Sequence, residues 1–307
     1  MAFTAQDVKH LREVTGVGMM DCKKALADTE GDMDKAIELL REKGLATAQK
    51  KSERIAAEGI AYAAVISGVG VAVEVNSETD FVAKNDKFIE FVEAIAAVIA
   101  EKNPADLDAL MSCAFPGTGK TVEEEQQEKI QVIGENIKIR RFARYESGLS
   151  VPYVHMGGKI GVIVNMDLSE GLEEKPEVAE LGKDLAMQIA AMNPAFLDKA
   201  EVDQATIDKE KEVLLAQAKE DPKTAGKPDN IIEKMVAGRI GKYYEENCLM
   251  QQGFVKGDKI SVEKHLAEVA KAVGGSIKLK AFTRFEKGEG IEKKQEDFAA
   301  EIAELVK

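Results

Sequence analysis

The chain has 307 residues, room for about two domains, and sets 42 Lys and Arg against 55 Asp and Glu for a formal charge of −13. An acid surplus of that size repels phosphate backbones, which disfavours general nucleic-acid binding. Aromatic content of 5% with no Trp leaves few platforms for stacking bases, and no stretch approaches the roughly 20 apolar residues of a membrane span, so a soluble cytoplasmic protein is expected.

Thr4 with Asp7 three residues on can cap a helix carrying Val8 and Leu11, which ends at the Thr15-Gly16-Val17-Gly18 turn. A second helix is predicted from Met19 to Ala27. Gly31-Asp32 breaks the chain, and Met33, Ile37 and Leu40 space a third stripe that is predicted to stop at Lys43-Gly44. Three short helices joined by glycine turns make a bundle too small for an active-site cleft, suited to presenting a helix face to a partner. Ala46 to Glu58, rich in Ala, Lys and Glu, reads as a helical linker.

From Gly59 the apolar period changes to two. Ile60 to Val65 and Val71 to Val75 flank Ser67-Gly68-Val69-Gly70, the pattern of a β-hairpin. A helix follows from Asp86 to Ala100 with Phe88, Phe91, Ile95 and Ile99 on one stripe, then a mostly helical stretch, then a strand from Asn136 to Phe142. The same order recurs. Tyr153 to His155, Gly157-Gly158 and Ile160 to Asn165 make a second hairpin, Glu177 to Ala191 a second helix, and Ile277 to Phe282 a second closing strand. The segments Ile137 to Gly148 and Ile277 to Gly288 agree at six of twelve positions, which implies a duplicated α+β unit. An αα-hairpin between Ala200 and Asn247 interrupts the second copy, turning at Asp221 to Pro228. A final helix, Asp297 to Val306, has nothing local to bury against.

Few residues invite chemistry. Gly117-Thr118-Gly119-Lys120-Thr121 ends like a phosphate-binding loop, but Ala114 stands where that motif needs its first Gly, and the preceding Asp108 to Ser112 is helix-like. A turn opening the acidic helix Val122 to Gln131 is the simpler reading. His10, His155 and His265 stand apart from one another, and His155 reads as a surface hydrogen-bonding residue. Cys22, Cys113 and Cys248 form no C-x-x-C pair and read as structural thiols. No catalytic residue, metal ligand or cofactor is assigned. The unusual segment is Asn76 to Asp86, which sets Phe81 beside Asp80 in a polar stretch after a strand. Phe81 is either a staple folded back on the next helix or a protruding aromatic of the kind enriched in interface hot spots.

Leu11 to Leu26, with its Val14-Thr15-Gly16-Val17-Gly18-Met19-Met20-Asp21-Cys22-Lys23-Lys24 core, resembles the first signature of the bacterial translation elongation factor Ts family, and Glu74 to Asn85 resembles the second. Ile133 to Arg141 and Arg284 to Glu292 are further matches, so the resemblance spans nearly the whole chain. It implies an α+β protein with a ubiquitin-associated-like three-helix domain at 1–50, a linker at 51–58, core halves at 59–148 and 149–288 with a hairpin at 200–247, and a C-terminal module at 289–307. It also implies guanine nucleotide exchange on the GTPase elongation factor Tu, without covalent chemistry, with Thr79, Asp80, Phe81 and Val82 entering the partner near its magnesium and phosphate site. Met19, Met20, Lys23, Asn76, His155, Phe254 and Val255 are the further partner contacts it implies, and the hairpin a possible dimer contact; neither nucleic acid nor membrane is an expected partner. One departure is Gln252-Gly253-Phe254-Val255, where the family has Pro in second place; loss of that proline is expected to loosen the turn around Phe254.

Overall fold

The computed structural model describes residues 3–222, 224, 226–257 and 260–292. Helix α1 (Ala5–Thr15) opens on the expected Thr4–Asp7 capping box and closes at Gly16 with φ of 66°, a left-handed cap that glycine adopts without a Cβ penalty. With α2 (Met19–Asp28) and α3 (Met33–Lys51) it encloses Leu11, Cys22, Leu26 and Leu40.

Helix α3 does not stop at Lys43-Gly44. It runs on to Lys51, and Gly44 lies inside it where an added Cβ would come 2.4 Å from Gln131 Oε1. That glycine serves close helix approach instead of a cap. The longer helix carries Ala48 into the core of the first sheet, so the join between bundle and core is packed helix as far as Lys51.

Strands β1 (Glu58–Ile66) and β2 (Val69–Ser77) meet at Ser67 and Gly68, both with positive φ as a two-residue hairpin turn requires. Then come α4 (Asp80–Ala83), α5 (Asp86–Lys102), α6 (Leu107–Ser112), α7 (Val122–Ile133) and β3 (Lys138–Tyr145). The second unit has β4 (Leu149–His155), β5 (Ile160–Leu168), α8 (Pro176–Met192), the hairpin α9 (Gln204–Glu220) and α10 (Asp229–Asn247), α11 (Val262–Val273) and β6 (Ile277–Glu286). Helix α11 has no counterpart in the sequence reading. It occupies the place of α7 in the first copy, ahead of the closing strand, and ends likewise on a left-handed glycine, Gly274 beside Gly134. The expected helix from Asp297 to Val306 lies outside the described residues.

Both sheets are antiparallel, in the orders β1-β2-β3 and β4-β5-β6. Strand alternation sorts their faces. Val71, Val73 and Val75 of β2 join Phe88, Phe91, Ile95 and Ile99 of α5, and Val162, Val164 and Met166 of β5 join Leu181, Leu185 and Ile189 of α8. The opposite faces meet each other through small side chains: Ala63 and Ala72 pack on Ile163, and Gly161 lies so near β1 that a Cβ would sit 2.7 Å from the Ala61 carbonyl oxygen. The result is helices, sheet, sheet, helices. Each central strand also shifts register at the corresponding point, between Glu74 and Val75 and between Asn165 and Met166.

Candidate functional site

The site grows from the end of β2. Thr79 caps the one-turn helix α4, its Oγ1 accepting from the Val82 backbone N–H at 3.4 Å. Val82 then turns inward, 9% exposed and part of the first core, while Phe81 beside it stands 80% exposed. A staple would have buried Phe81 against α5, so the apolar anchor of this turn is Val82. Asp80 pairs with Lys84 at 2.6 Å along the helix, and the hydrogen bond and charge of Lys84 hold its carboxyl below the usual aspartate range.

Behind the aromatic is a reciprocal brace. Glu135 Oε2 accepts the backbone N–H groups of Glu78 and Thr79, each at 3.0 Å, and its Oε1 accepts the Thr79 hydroxyl at 2.6 Å. In return Glu78 Oε1 accepts the Asn136 N–H at 2.6 Å. Asn136 Nδ2 donates to the carbonyls of Ser52 and Arg54 just past α3, so the bundle exit, the Phe81 turn and the start of β3 share one node. In the sequence Glu135 carries no signal of its own beyond its place in the matching stretch Ile133 to Arg141.

Ser77 pairs with Glu58 at the same end of the sheet. Glu58 also binds Lys287, and the β4–β5 turn reaches there through Gly158, whose carbonyl accepts the Ala61 N–H at 2.8 Å. His155 precedes that turn, half-buried, with Tyr153 Oη 2.9 Å from its Nδ1. Phe81 and the His155 turn therefore lie at one end of the sheet pair.

The other expected contacts divide. Met19, Met20 and Lys23 are exposed on α2, Met20 most of all at 75%. Val255 is 49% exposed. Asn76, Val82 and Phe254 are buried, at 1%, 9% and 6% exposed. Asn76 faces the second sheet, donating to Glu74 and to the Glu58 carbonyl, and Phe254 stacks on His265 with ring centres 4.0 Å apart. Nor is the turn at Gly253 loose. Gln188 donates to Gln252 Oε1 at 3.0 Å and accepts the Val255 N–H at 2.9 Å, replacing with side-chain bonds the restraint a proline would add.

The loop ending in Lys120 is a tight turn in which Phe115 N–H donates to the Lys120 carbonyl at 2.7 Å and the Lys120 ammonium pairs with Glu128. Helix α6 precedes it where a phosphate-binding loop needs a strand. Burial pushes the Cys248 thiol up to about 11, which keeps it protonated and unreactive. No group of three or more His, Cys, Asp or Glu among the described residues could hold a metal ion, and no described helix is long and apolar enough to cross a membrane.

A duplicated α+β core that displays one braced aromatic has its likeness among known proteins. The family model described as Elongation factor TS matches residues 78–289, which puts the protein among the factors of translation elongation. Elongation factor Ts of Magnetococcus marinus is 49% identical over 308 residues, covering 100% of this chain and 99% of that protein. The Syntrophotalea carbinolica protein of the same name is 46% identical over 309 residues, covering 100% of each, and that of Clostridium perfringens strain SM101 is 50% identical over 306 residues, covering 98% of each. The chain belongs to the elongation factor Ts family.

Proposed function

We propose that the protein is the guanine nucleotide exchange factor of the translation GTPase elongation factor Tu: it binds the GDP-bound GTPase in the cytoplasm and speeds GDP release by displacing the groups that hold Mg²⁺ and phosphate. The observation that carries this is Phe81, 80% exposed on a turn anchored by Val82 and braced by Glu135. An exposed ring on a held turn is organised for insertion into a partner, since a rigid aromatic brings large contact area at small entropic cost.

The mechanism is linkage. A protein that binds the nucleotide-free GTPase better than the GDP form must weaken GDP binding by the same factor by which GDP weakens its own. Each 1.4 kcal/mol so transferred is about tenfold in affinity, and no proton or covalent bond need move. Asp80 and Phe81 make the intruding contact, Thr79 and Val82 hold it, and Met19, Met20 and Lys23 on α2 add a second grip. His155 lies at the same sheet end as Phe81 and joins that contact; Val255 joins from its own exposed position. In this reading the bundle at 1–50, the two core halves and the segment after 289 act as separate contact modules. Hairpin α9–α10 serves contacts between copies, through exposed Val213 and Ile231.

The test is release of fluorescent GDP from elongation factor Tu. Acceleration that saturates with this protein is expected; an unchanged release rate at saturating concentration overturns the proposal.

A further inference from the structure

We infer that Glu135 is a positioning residue for nucleotide exchange: its carboxylate holds the Phe81 turn in the one conformation that presents the ring. This rests on the exchange-factor reading above and adds a residue to it.

The turn cannot hold itself. Helix α4 has four residues, fewer than an isolated helix needs to offset its nucleation cost, and Phe81 is 80% exposed and anchors nothing. Three donors just ahead of α4, the N–H groups of Glu78 and Thr79 and the Thr79 hydroxyl, converge on one carboxylate. Hydrogen bonds to an ionised acceptor are about twice as strong as neutral ones. Val82 fixes the far side of the turn in the core.

The second copy of the unit shows what the same junction does without a displayed ring. Ile133-Gly134-Glu135-Asn136-Ile137-Lys138 corresponds to Val273-Gly274-Gly275-Ser276-Ile277-Lys278, with Gly275 in the place of Glu135. There neutral groups make the junction beyond the paired Leu168 and Ile277: Ser169 N–H donates to the Ser276 carbonyl at 3.0 Å, Ser276 N–H to Ser169 Oγ at 2.8 Å, and Ser169 Oγ to Ser276 Oγ at 3.1 Å. No aromatic occurs in the segment after β5, and its apolar residue, Leu172, is buried. Two neutral serines suffice at this junction. The carboxylate is added only where an aromatic is exposed, so its task is the presentation of that aromatic.

Without the brace the turn samples other conformations, and affinity for the partner falls by the fraction that remains competent, whereas the rate within the assembled complex does not. The experiment titrates full-length Glu135→Ala and Glu135→Gln against elongation factor Tu carrying fluorescent GDP, with backbone amide exchange measured on the same proteins. The half-saturating concentration is expected to rise about tenfold with the maximal rate changed less than about twofold. Amides of Glu78 and Thr79 should exchange at least about tenfold faster, with those of β1 and α5 unchanged. A half-saturating concentration equal to wild type, or unchanged Glu78 and Thr79 amides, overturns the inference. If Glu135→Ala exposes amides throughout the core, Glu135→Gln, which keeps the side-chain volume, is the deciding variant by the same two readouts. Failure of wild type to speed GDP release would instead sink the exchange-factor reading, so the two failures are distinguishable.

Discussion

Phe81 and Val82 are adjacent apolar residues with opposite fates, 80% and 9% exposed, because a one-turn helix points successive side chains to different sides. Phe81→Ala removes no core packing, and its melting temperature should stay within about a degree of wild type, as for surface substitutions generally. The rate of GDP release should nevertheless fall roughly 30-fold to 1,000-fold, the ~2–4 kcal/mol of a buried aromatic anchor. A lowered melting temperature with normal exchange per folded molecule would mean that the ring is structural. Glu74 is the opposite kind of residue. Fully buried between the sheets, it accepts from Arg140 at 3.0 Å, Arg141 at 2.6 Å and the Gly288 N–H at 2.8 Å. Arg141 also stacks over Phe285 at 4.5 Å, so this one carboxylate ties β2 and β3 to the end of β6. Glu74→Ala leaves two guanidinium groups without it, and about 3 kcal/mol of stability should be lost by urea unfolding.

At the scale of elements, small residues decide how sheets and helices approach. Gly161 has an ordinary strand backbone, but the Cβ of an alanine would meet the carbonyl oxygen and carbon of Ala61 at 2.7 and 2.9 Å. Backbone cannot move aside as a side chain can. Gly161→Ala should therefore cost about 2 kcal/mol, typical of overpacking, visible as a lower urea midpoint with an unchanged slope. Gly44 meets only the end of the Gln131 side chain, which can rotate, so the same substitution there is tolerated more readily. Its place inside α3 explains why a glycine that looked like a helix end was not one: α7 supplied a helix surface to approach, and a partner 87 positions away leaves no local signal.

For the whole molecule, helical layers pack on the outer faces of two sheets whose inner faces meet. The Lys120 ammonium is spent on Glu128, and helix α6 precedes its turn where a phosphate-binding loop needs a strand. By calorimetry the chain alone should show no GTP binding; binding that disappears in Lys120→Ala would contradict this. Its acid surplus of 13 charges repels phosphate backbones, which accords with the protein partner proposed above.

Much of this was legible in the sequence because its signals are local. Capping at Thr4, the period-two runs of the hairpins and the glycine turns each lie within a dozen residues, the repeat at Ile137 and Ile277 is a match between two twelve-residue segments, and the two signature stretches identified the family. Helix α11 was missed because the hairpin insertion masked the symmetry that would have demanded it. What only tertiary structure decided involved partners far apart in sequence: that Phe81 faces out while Asn76 and Phe254 face in, that Gly44 and Gly161 are contact points, and that Glu135 grips a turn 56 residues before it. Burial depends on what the rest of the chain places opposite a residue, and neither composition nor period encodes that.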